Sequence, residues 1–181
     1  MRRWLLALAL AIVALAAIYF FLIRDSHVGP SVAVPEATAT IGSGSEAIAV
    51  TAGGAVVRWF PLDAEPALPR LPLTEVPKGG QLKGPALQQA LVLGAAPAAL
   101  RPYLASSRYG ESGVDVETTS GIELRFGDAS QARKKWKAAA AVLADPSIEA
   151  LDYVDLHAPK RPALGGSGHV LPPPLEPSTE G

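Results

Sequence analysis

The chain has 181 residues, with 16 Lys and Arg against 17 Asp and Glu, so its formal net charge is −1. This near-neutral balance argues against a nucleic-acid-binding protein, which usually carries a strongly basic surface. The chain contains no cysteine, which excludes disulfides, thiolate metal sites and a cysteine nucleophile. Only 6% of the residues are aromatic, so we expect a modest core built mainly from Val, Leu, Ile and Ala.

The first element is the apolar stretch 4–23, WLLALALAIVALAAIYFFLI, which contains no charge, glycine or proline. A helix of this length spans about 30 Å, the thickness of a bilayer core. We therefore predict a transmembrane helix at 4–23, with segment 1–3 in the cytoplasm because it carries Arg2 and Arg3. The rest of the chain then lies outside the cytoplasm, a single-pass type II topology. The alternative is a cleaved signal peptide, because Ala14-Leu15-Ala16 has the pattern of a cleavage site.

The next segment, 24–45, is interrupted by prolines and ends in Gly-Ser-Gly-Ser, which predicts a flexible tether. Apolar residues then alternate with other residues on both sides of Gly53-Gly54, which predicts a β-hairpin over 46–60. Six prolines follow within 61–85. Because proline cannot donate a backbone hydrogen bond, we expect neither a central strand nor a helix there.

The middle of the chain predicts two short helices, at 86–93 and 97–104, separated by Gly94. Strict alternation of apolar and charged residues then predicts paired strands at 114–119 and 122–126. Ser120-Gly121 suits the tight turn between them.

The last predicted elements are a helix and a strand. Asp128 is positioned to cap a helix at 129–144, because its side chain can accept hydrogen bonds from the first-turn N–H groups. A strand follows at 151–157. The order of elements predicts an α+β fold, with a mostly antiparallel sheet that carries helices on one face. We assign this domain to 46–164 and expect the Pro- and Gly-rich segment 165–181 to be a disordered tail.

Side chains that support catalysis or metal binding do not cluster in the sequence. His27, His157 and His169 lack the spacing of metal ligands. The serines of the two Gly-Ser runs lack the context of a nucleophile elbow and resemble linkers. We therefore predict no catalytic residue, no cofactor-binding residue and no metal ligand. The domain is instead predicted to bind a partner.

Charged runs have both a chemical and a structural interpretation. Asp115, Glu117 and Glu123 could perform acid–base chemistry, but solvated strand faces have the same pattern, which we favour. The basic run 133–137 could contact anionic headgroups, but we interpret it mainly as a solvated helix face.

The second half of the domain contains three consecutive motifs: Gly-Ile-Glu-Leu-Arg-Phe-Gly at 121–127, a basic helix, and Asp-Tyr-Val-Asp-Leu-His-Ala-Pro-Lys-Arg-Pro-Ala-Leu at 152–164. In this order they resemble the β domain of the FtsQ/DivIB family of bacterial cell division proteins. His157 stands where the family usually has Arg. The turn at Gly53-Gly54 and the stretch 67–73 are also similar to the family. One departure is that 24–45 is too short for the POTRA domain that the family places after its anchor.

The resemblance implies a non-enzymatic scaffold of the division complex, located in the cell membrane at the division septum. Its partners would be FtsB/DivIC-like and FtsL-like coiled-coil proteins, bound by addition of a strand to the last strand of the sheet, in support of septal peptidoglycan synthesis. By position, the matching edge is 158–164 beside the last predicted strand. The implied partner-binding residues are Val154, Leu156, Ala158, Lys160, Arg161, Ala163 and Leu164.

Two other functional classes remain open from the sequence. One is an anchored envelope assembly or secretion component that binds a different protein. The other is an anchored cell-wall enzyme, which would need Asp115, Glu117 or Glu123 for turnover. The edge at 158–164 could also be only a charged, proline-protected edge that prevents aggregation.

Overall fold

The computed structural model describes residues 36–42, 46–58, 68–73 and 76–171. The predicted membrane helix at 4–23 and most of the predicted tail lie outside these ranges. Within them, no helix is long and apolar enough to cross a membrane.

The described residues form one nine-stranded sheet with two α-helices and a 3₁₀ helix. The strands follow the order β3-β2-β1-β4-β5-β6-β7-β8-β9 across the sheet. The elements are β1 (Ala37–Ile41), β2 (Ile48–Thr51), β3 (Val56–Val57), β4 (Arg70–Leu71), α1 (Gly84–Gly94), the 3₁₀ helix (Ala98–Tyr103), β5 (Leu104–Gly110), β6 (Gly113–Thr118), β7 (Glu123–Gly127), α2 (Ala132–Leu143), β8 (Ala150–Asp155) and β9 (Ala163–Val170).

The predicted α+β class is confirmed, and the sheet is mixed. Consecutive hairpins pair antiparallel: β1 with β2, β2 with β3, β5 with β6, β6 with β7, and β8 with β9. The pairs β1–β4, β4–β5 and β7–β8 are parallel, and helix α2 makes the crossover from β7 to β8, as parallel neighbours require.

The core lies between the sheet and the two α-helices. Val116, Leu124 and Phe126 point from β6 and β7 into it and are fully buried. Trp136 of α2 is 1% exposed, and its ring centroid lies 4.7 Å from that of Phe126. The Trp136 Nε1–H donates a 2.7 Å hydrogen bond to the carbonyl of Val92 in the last turn of α1. Both helices therefore pack into one core on the same face of the sheet.

Two central strands contradict the predictions for the first half of the domain. Strand β1 lies within the predicted tether, and β4 lies within the proline-rich segment. The residues of β1 are mostly small, so the hydrophobic pattern underestimates their burial. In β4 only Arg70 and Leu71 need to pair between Pro69 and Pro72, and the carbonyl of Pro69 accepts a hydrogen bond from Thr40 N. A two-residue strand therefore tolerates proline on both sides.

The start of α2 also differs from the prediction. Gln131 occupies the N-cap position with φ of 53°, and Asp128 accepts instead from the N–H and Oγ–H of Ser130.

Lys135, predicted within a solvated basic face, is 3% exposed. Its Nζ donates to the carbonyls of Phe126 (2.8 Å) and Asp128 (3.0 Å) and to Asp128 Oδ1 (2.9 Å). The buried ammonium closes the corner between β7 and α2, a role that a helical wheel does not reveal.

The sheet extends beyond the predicted domain range 46–164 at both ends, because it begins at Ala37 and ends at Val170. Residues 165–170, which belong to the predicted tail 165–181, form most of β9. The predicted hairpins at 46–60 and 114–126 and the helix near 129–144 are present with shifted ends.

Candidate partner-binding edge of the sheet

Strand β9 forms one edge of the sheet. It pairs with β8, and among the described residues no segment pairs with its other side. The opposite edge strand, β3, has only two residues, and the neighbouring Ala55 is bridged to Gln81. The longer edge is therefore β9, and its unpaired N–H and C=O groups are a template for another strand.

Two of the residues predicted to bind a partner belong to the core. Val154 and Leu156 are 0% exposed and pack among the apolar side chains under the helices. Their side chains stabilise the core and do not line the sheet edge, and their role in partner binding stays a prediction. Alternation in a strand shows which residues face the core, but the sheet order decides which strand is at the edge.

Three further predicted residues lie in the turn that connects β8 to β9. Ala158, Lys160 and Arg161 are exposed, and Arg161 N donates to the carbonyl of Ala158 at 2.9 Å. Pro159 follows Ala158, at the turn position where proline is favoured. These residues flank the edge, and the predicted strand at 158–164 is present only from Ala163 onward.

The last two predicted residues, Ala163 and Leu164, do lie in the edge strand. Both are exposed, and Leu164 is 41% exposed. Leu164 pairs with Val154, so its side chain is on the helix side of the sheet, at the margin of the core. An added strand would extend this apolar margin.

In this part of β9, the backbone N–H and C=O groups that point away from β8 are those of Leu164. Leu156 N donates to Arg125 O across the β7–β8 boundary. Because N–H and C=O groups alternate in direction along a strand, those of Tyr153 and Asp155 point to β9. Their register partners are Gly165 and Ala163. The N–H and C=O of Leu164, which lies between these partners, therefore point to the free side.

Tyr153 and Gly165 are part of this edge, although neither is among the predicted site residues. A Cβ placed on Gly165 would lie 2.5 Å from ring atoms of Tyr153. The ring therefore lies over the glycine backbone, and the Arg125 guanidinium stacks 4.0 Å from the ring centroid. This stacking can stabilise the ring by a cation–π interaction. A run of glycines beside a strand that carries an aromatic residue was the available signal, and it was read as a linker.

Residues 166–168 of the Gly-Gly-Ser-Gly run form a β-bulge held by Asp152. Leu151 pairs with His169 and Tyr153 pairs with Gly165, so Asp152 alone faces the three residues 166–168. Asp152 Oδ1 accepts a 2.8 Å hydrogen bond from Gly168 N. The bulge is therefore an ordered part of the strand, contrary to the predicted linker.

The carboxylates considered for acid–base chemistry lie on the sheet face opposite the helices. Asp115 and Glu123 are paired with arginines, and Glu117 accepts a 3.2 Å hydrogen bond from Ser106 Oγ. Arg108 contacts Asp115 at 3.3 Å and also Glu123, which contacts Arg125 as well at 2.5 Å. Burial disfavours ionisation of Glu123, but hydrogen bonds from both arginines outweigh it and lower its pKa. Burial, together with the charge of Glu123, raises the pKa of Asp115. The arrangement is a cross-strand charge network, in which opposite charges support the sheet.

Two histidines lie near this edge, each beside an aspartate. His157 Nδ1 is 2.7 Å from Asp155 Oδ1, and its Nε2 is 3.2 Å from the carbonyl oxygen of Ser112. The Asp155 carboxylate raises the pKa of His157, opposed by burial and assisted by the Ser112 carbonyl. His169 Nδ1 lies 3.2 Å from Asp152 Oδ1 without forming a hydrogen bond. In the described ranges, no group of three or more His, Cys, Asp or Glu side chains is arranged to hold a metal ion.

A comparison with protein families gives the context for this edge. The family model described as cell division protein FtsQ/DivIB, C-terminal, matches residues 40–157, well over half of the chain. The match starts within β1 and ends after β8, before the edge strand β9. A comparison with curated proteins finds no match. The chain therefore belongs to the FtsQ/DivIB family of cell division proteins.

Proposed function

We propose that the protein is a non-enzymatic, membrane-anchored scaffold of the cell division complex. It binds FtsB/DivIC-like and FtsL-like coiled-coil proteins by strand addition at β9 and supports septal peptidoglycan synthesis. The helix at 4–23 anchors it, with the sheet domain outside the cytoplasm. The family membership supports a role in cell division, and the unpaired side of β9 is the observation that carries the mode of binding.

The edge of β9 has the properties that strand addition needs. Leu164 directs an N–H and a C=O group to the free side, and its side chain is partly exposed beside the core. Main-chain hydrogen bonds at such an edge provide affinity, and alternate side chains provide register. Lys160 and Arg161 in the preceding turn are exposed and are available for acidic side chains of the partner.

The mode of binding is tested by co-purification of the full chain with the FtsB/DivIC-like and FtsL-like proteins of the same cells. Leu164→Pro removes the N–H that points to the free side and breaks no hydrogen bond to β8. We expect about tenfold weaker binding, since one lost interfacial hydrogen bond is worth about 1–1.5 kcal/mol.

The matched control is Leu164→Ala, which retains the N–H and removes only the exposed side chain, so its effect should be smaller. Circular dichroism and thermal unfolding check that both variants retain the fold. Undiminished binding by Leu164→Pro would contradict strand addition at this residue.

The location is tested separately with a fluorescent fusion to the full chain. We expect fluorescence at the septum of dividing cells, and loss of membrane association when 4–23 is deleted. An even distribution around the envelope would contradict septal localisation. Recovery of other envelope proteins in place of the coiled-coil partners would favour an assembly or secretion role.

A further inference from the structure

The edge strand β9 is divided in two by its bulge. On one side, Ala163, Leu164 and Gly165 continue the regular ladder with β8, and on the other side His169 and Val170 do so. Between them, the segment 166–168 has two residues more than the single residue Asp152 that it faces. A bulge of this kind disrupts the ladder and bends the strand, which limits pairing at an edge.

The carboxylate of Asp152 fills the inside of the bulge. A Cβ on Gly166 would lie 1.9 Å from Asp152 Oδ2, and a Cβ on Gly168 would lie 2.6 Å from Oδ1. Gly166 has φ of 80°, in the left-handed region that glycine adopts without strain. Glycine at these two positions leaves room for the carboxylate, which in turn satisfies the N–H of Gly168.

We propose that this bulge confines strand addition to Ala163–Gly165 and that Asp152 is the positioning residue that holds it. This inference rests on the proposed function and specifies the segment that the partner contributes. Pro162 has no N–H and limits the accessible ladder on one side, and the bulge limits it on the other.

The partner segment that fits is short and extended, with an apolar residue beside Leu164. Leu164 is 41% exposed at the margin of the core, so an apolar neighbour there removes nonpolar surface from water. Val170 is 74% exposed but lies beyond the bulge, and the partner strand is expected to leave it uncovered. The same interruption reduces the risk that two copies of the chain pair along their whole edges.

Photocrosslinking in cells tests this division of the edge. A photoreactive residue is placed in turn at Ala163, Leu164, Ser167 and Val170 of the full chain, and crosslinked FtsB/DivIC-like or FtsL-like protein is identified by mass spectrometry. We expect crosslinks at Ala163 and Leu164 that are several-fold stronger than those at Ser167 and Val170. Equally strong crosslinks at Val170 would overturn the inference and support the proposed strand addition. Absence of crosslinks at all four positions would refute both.

Removing the bulge sharpens the test. Deleting Ser167 and Gly168 places Gly166 opposite Asp152 and leaves equal numbers of residues on the two strands. In this variant we expect crosslinks to extend to Val170, and Ser167→Ala, which keeps the chain length, should retain the original pattern. An unchanged pattern after the deletion would overturn the inference.

The role of Asp152 is tested by two substitutions. Asp152→Ala removes the acceptor for Gly168 N–H, so crosslinks should appear at Ser167. Asp152→Asn keeps an acceptor oxygen and should restore the original pattern. A change in stability alone, without a change in crosslink positions, would overturn the assignment of Asp152. If the variants do not fold, the pattern in the unmodified strand still decides whether the edge is divided.

Discussion

Strands β7 and β9 lie on either side of β8 and are held in the sheet in different ways. In β7, Leu124 and Phe126 point into the core and are fully buried. In β9, no residue is buried, and glycines occupy three of the eight positions. Because β9 has no buried side chain of its own, side chains of β8 pack against it: Tyr153 lies over Gly165, and Asp152 fills the bulge. A strand that buries its own side chains is stabilised by the core, whereas a strand held by its neighbour's side chains stays accessible at the edge.

The largest expected effect on stability concerns β7, the strand whose side chains are buried in the core. Trp136→Ala should lower the free energy of unfolding by about 3–5 kcal/mol, because it removes a buried ring that packs on Phe126 of β7. Urea unfolding measures the change. The control, Lys137→Ala, alters an exposed position on the same helix and should change the free energy by less than about 0.5 kcal/mol. A similar loss for both variants would contradict the placement of Trp136.

The next effect concerns the corner after β7. Lys135→Met keeps the apolar stem but removes the ammonium, which leaves the carbonyl of Phe126 without this donor. Since an unsatisfied buried polar group costs about 1–3 kcal/mol, we expect a loss in that range in the same assay. Lys134→Met, at an exposed position, is the matched control. Equal stability of the Lys135→Met variant and the unmodified protein would argue against a buried ammonium.

A smaller and more local effect is expected in β9. Gly165→Ala places a Cβ against the Tyr153 ring and should cost about 1–2 kcal/mol by overpacking. Amide exchange should accelerate in β9 and remain unchanged in β7. Gly110→Ala is the control, because a Cβ at Gly110 meets no atom within 4 Å. Uniform acceleration across both strands would show that β9 unfolds together with the core.

The smallest effect is a pH dependence at the turn between β8 and β9. Because the folded state raises the pKa of His157, its stabilising contribution is complete below the unfolded pKa of about 6.5 and is lost as the pH rises through the higher folded pKa. His157→Gln should therefore destabilise the protein more at pH 5.5 than at pH 8.5. The free energy of unfolding is measured for the variant and for the unmodified protein at both pH values. A larger loss of stability at pH 8.5 would contradict a raised pKa of His157.

Some of the fold and little of the site could be predicted from the sequence. The family, the α+β class, the β6–β7 pair and the helix near 129–144 follow from local patterns, because a strand or helix with one buried face repeats apolar residues at a fixed period. Among the predicted site residues, only Ala163 and Leu164 lie in the edge strand, since alternation around Val154 and Leu156 identifies a buried face and carries no information about strand order.

Only the tertiary structure decided which short segments join the sheet and which residues from other parts of the chain stabilise them there. Strand β1 consists mostly of small residues, β4 has only two residues, and three of the eight residues of β9 are glycines. The side chains of these three strands therefore carry a weak periodic signal. Their pairing depends on hydrogen bonds and side chains from elsewhere in the chain, such as Thr40 N to Pro69 O and the Asp152 carboxylate in the bulge. The sequence by itself determined the elements that bury their own apolar residues. The accessible edge was determined by contacts between elements, because its stability comes from a neighbouring strand.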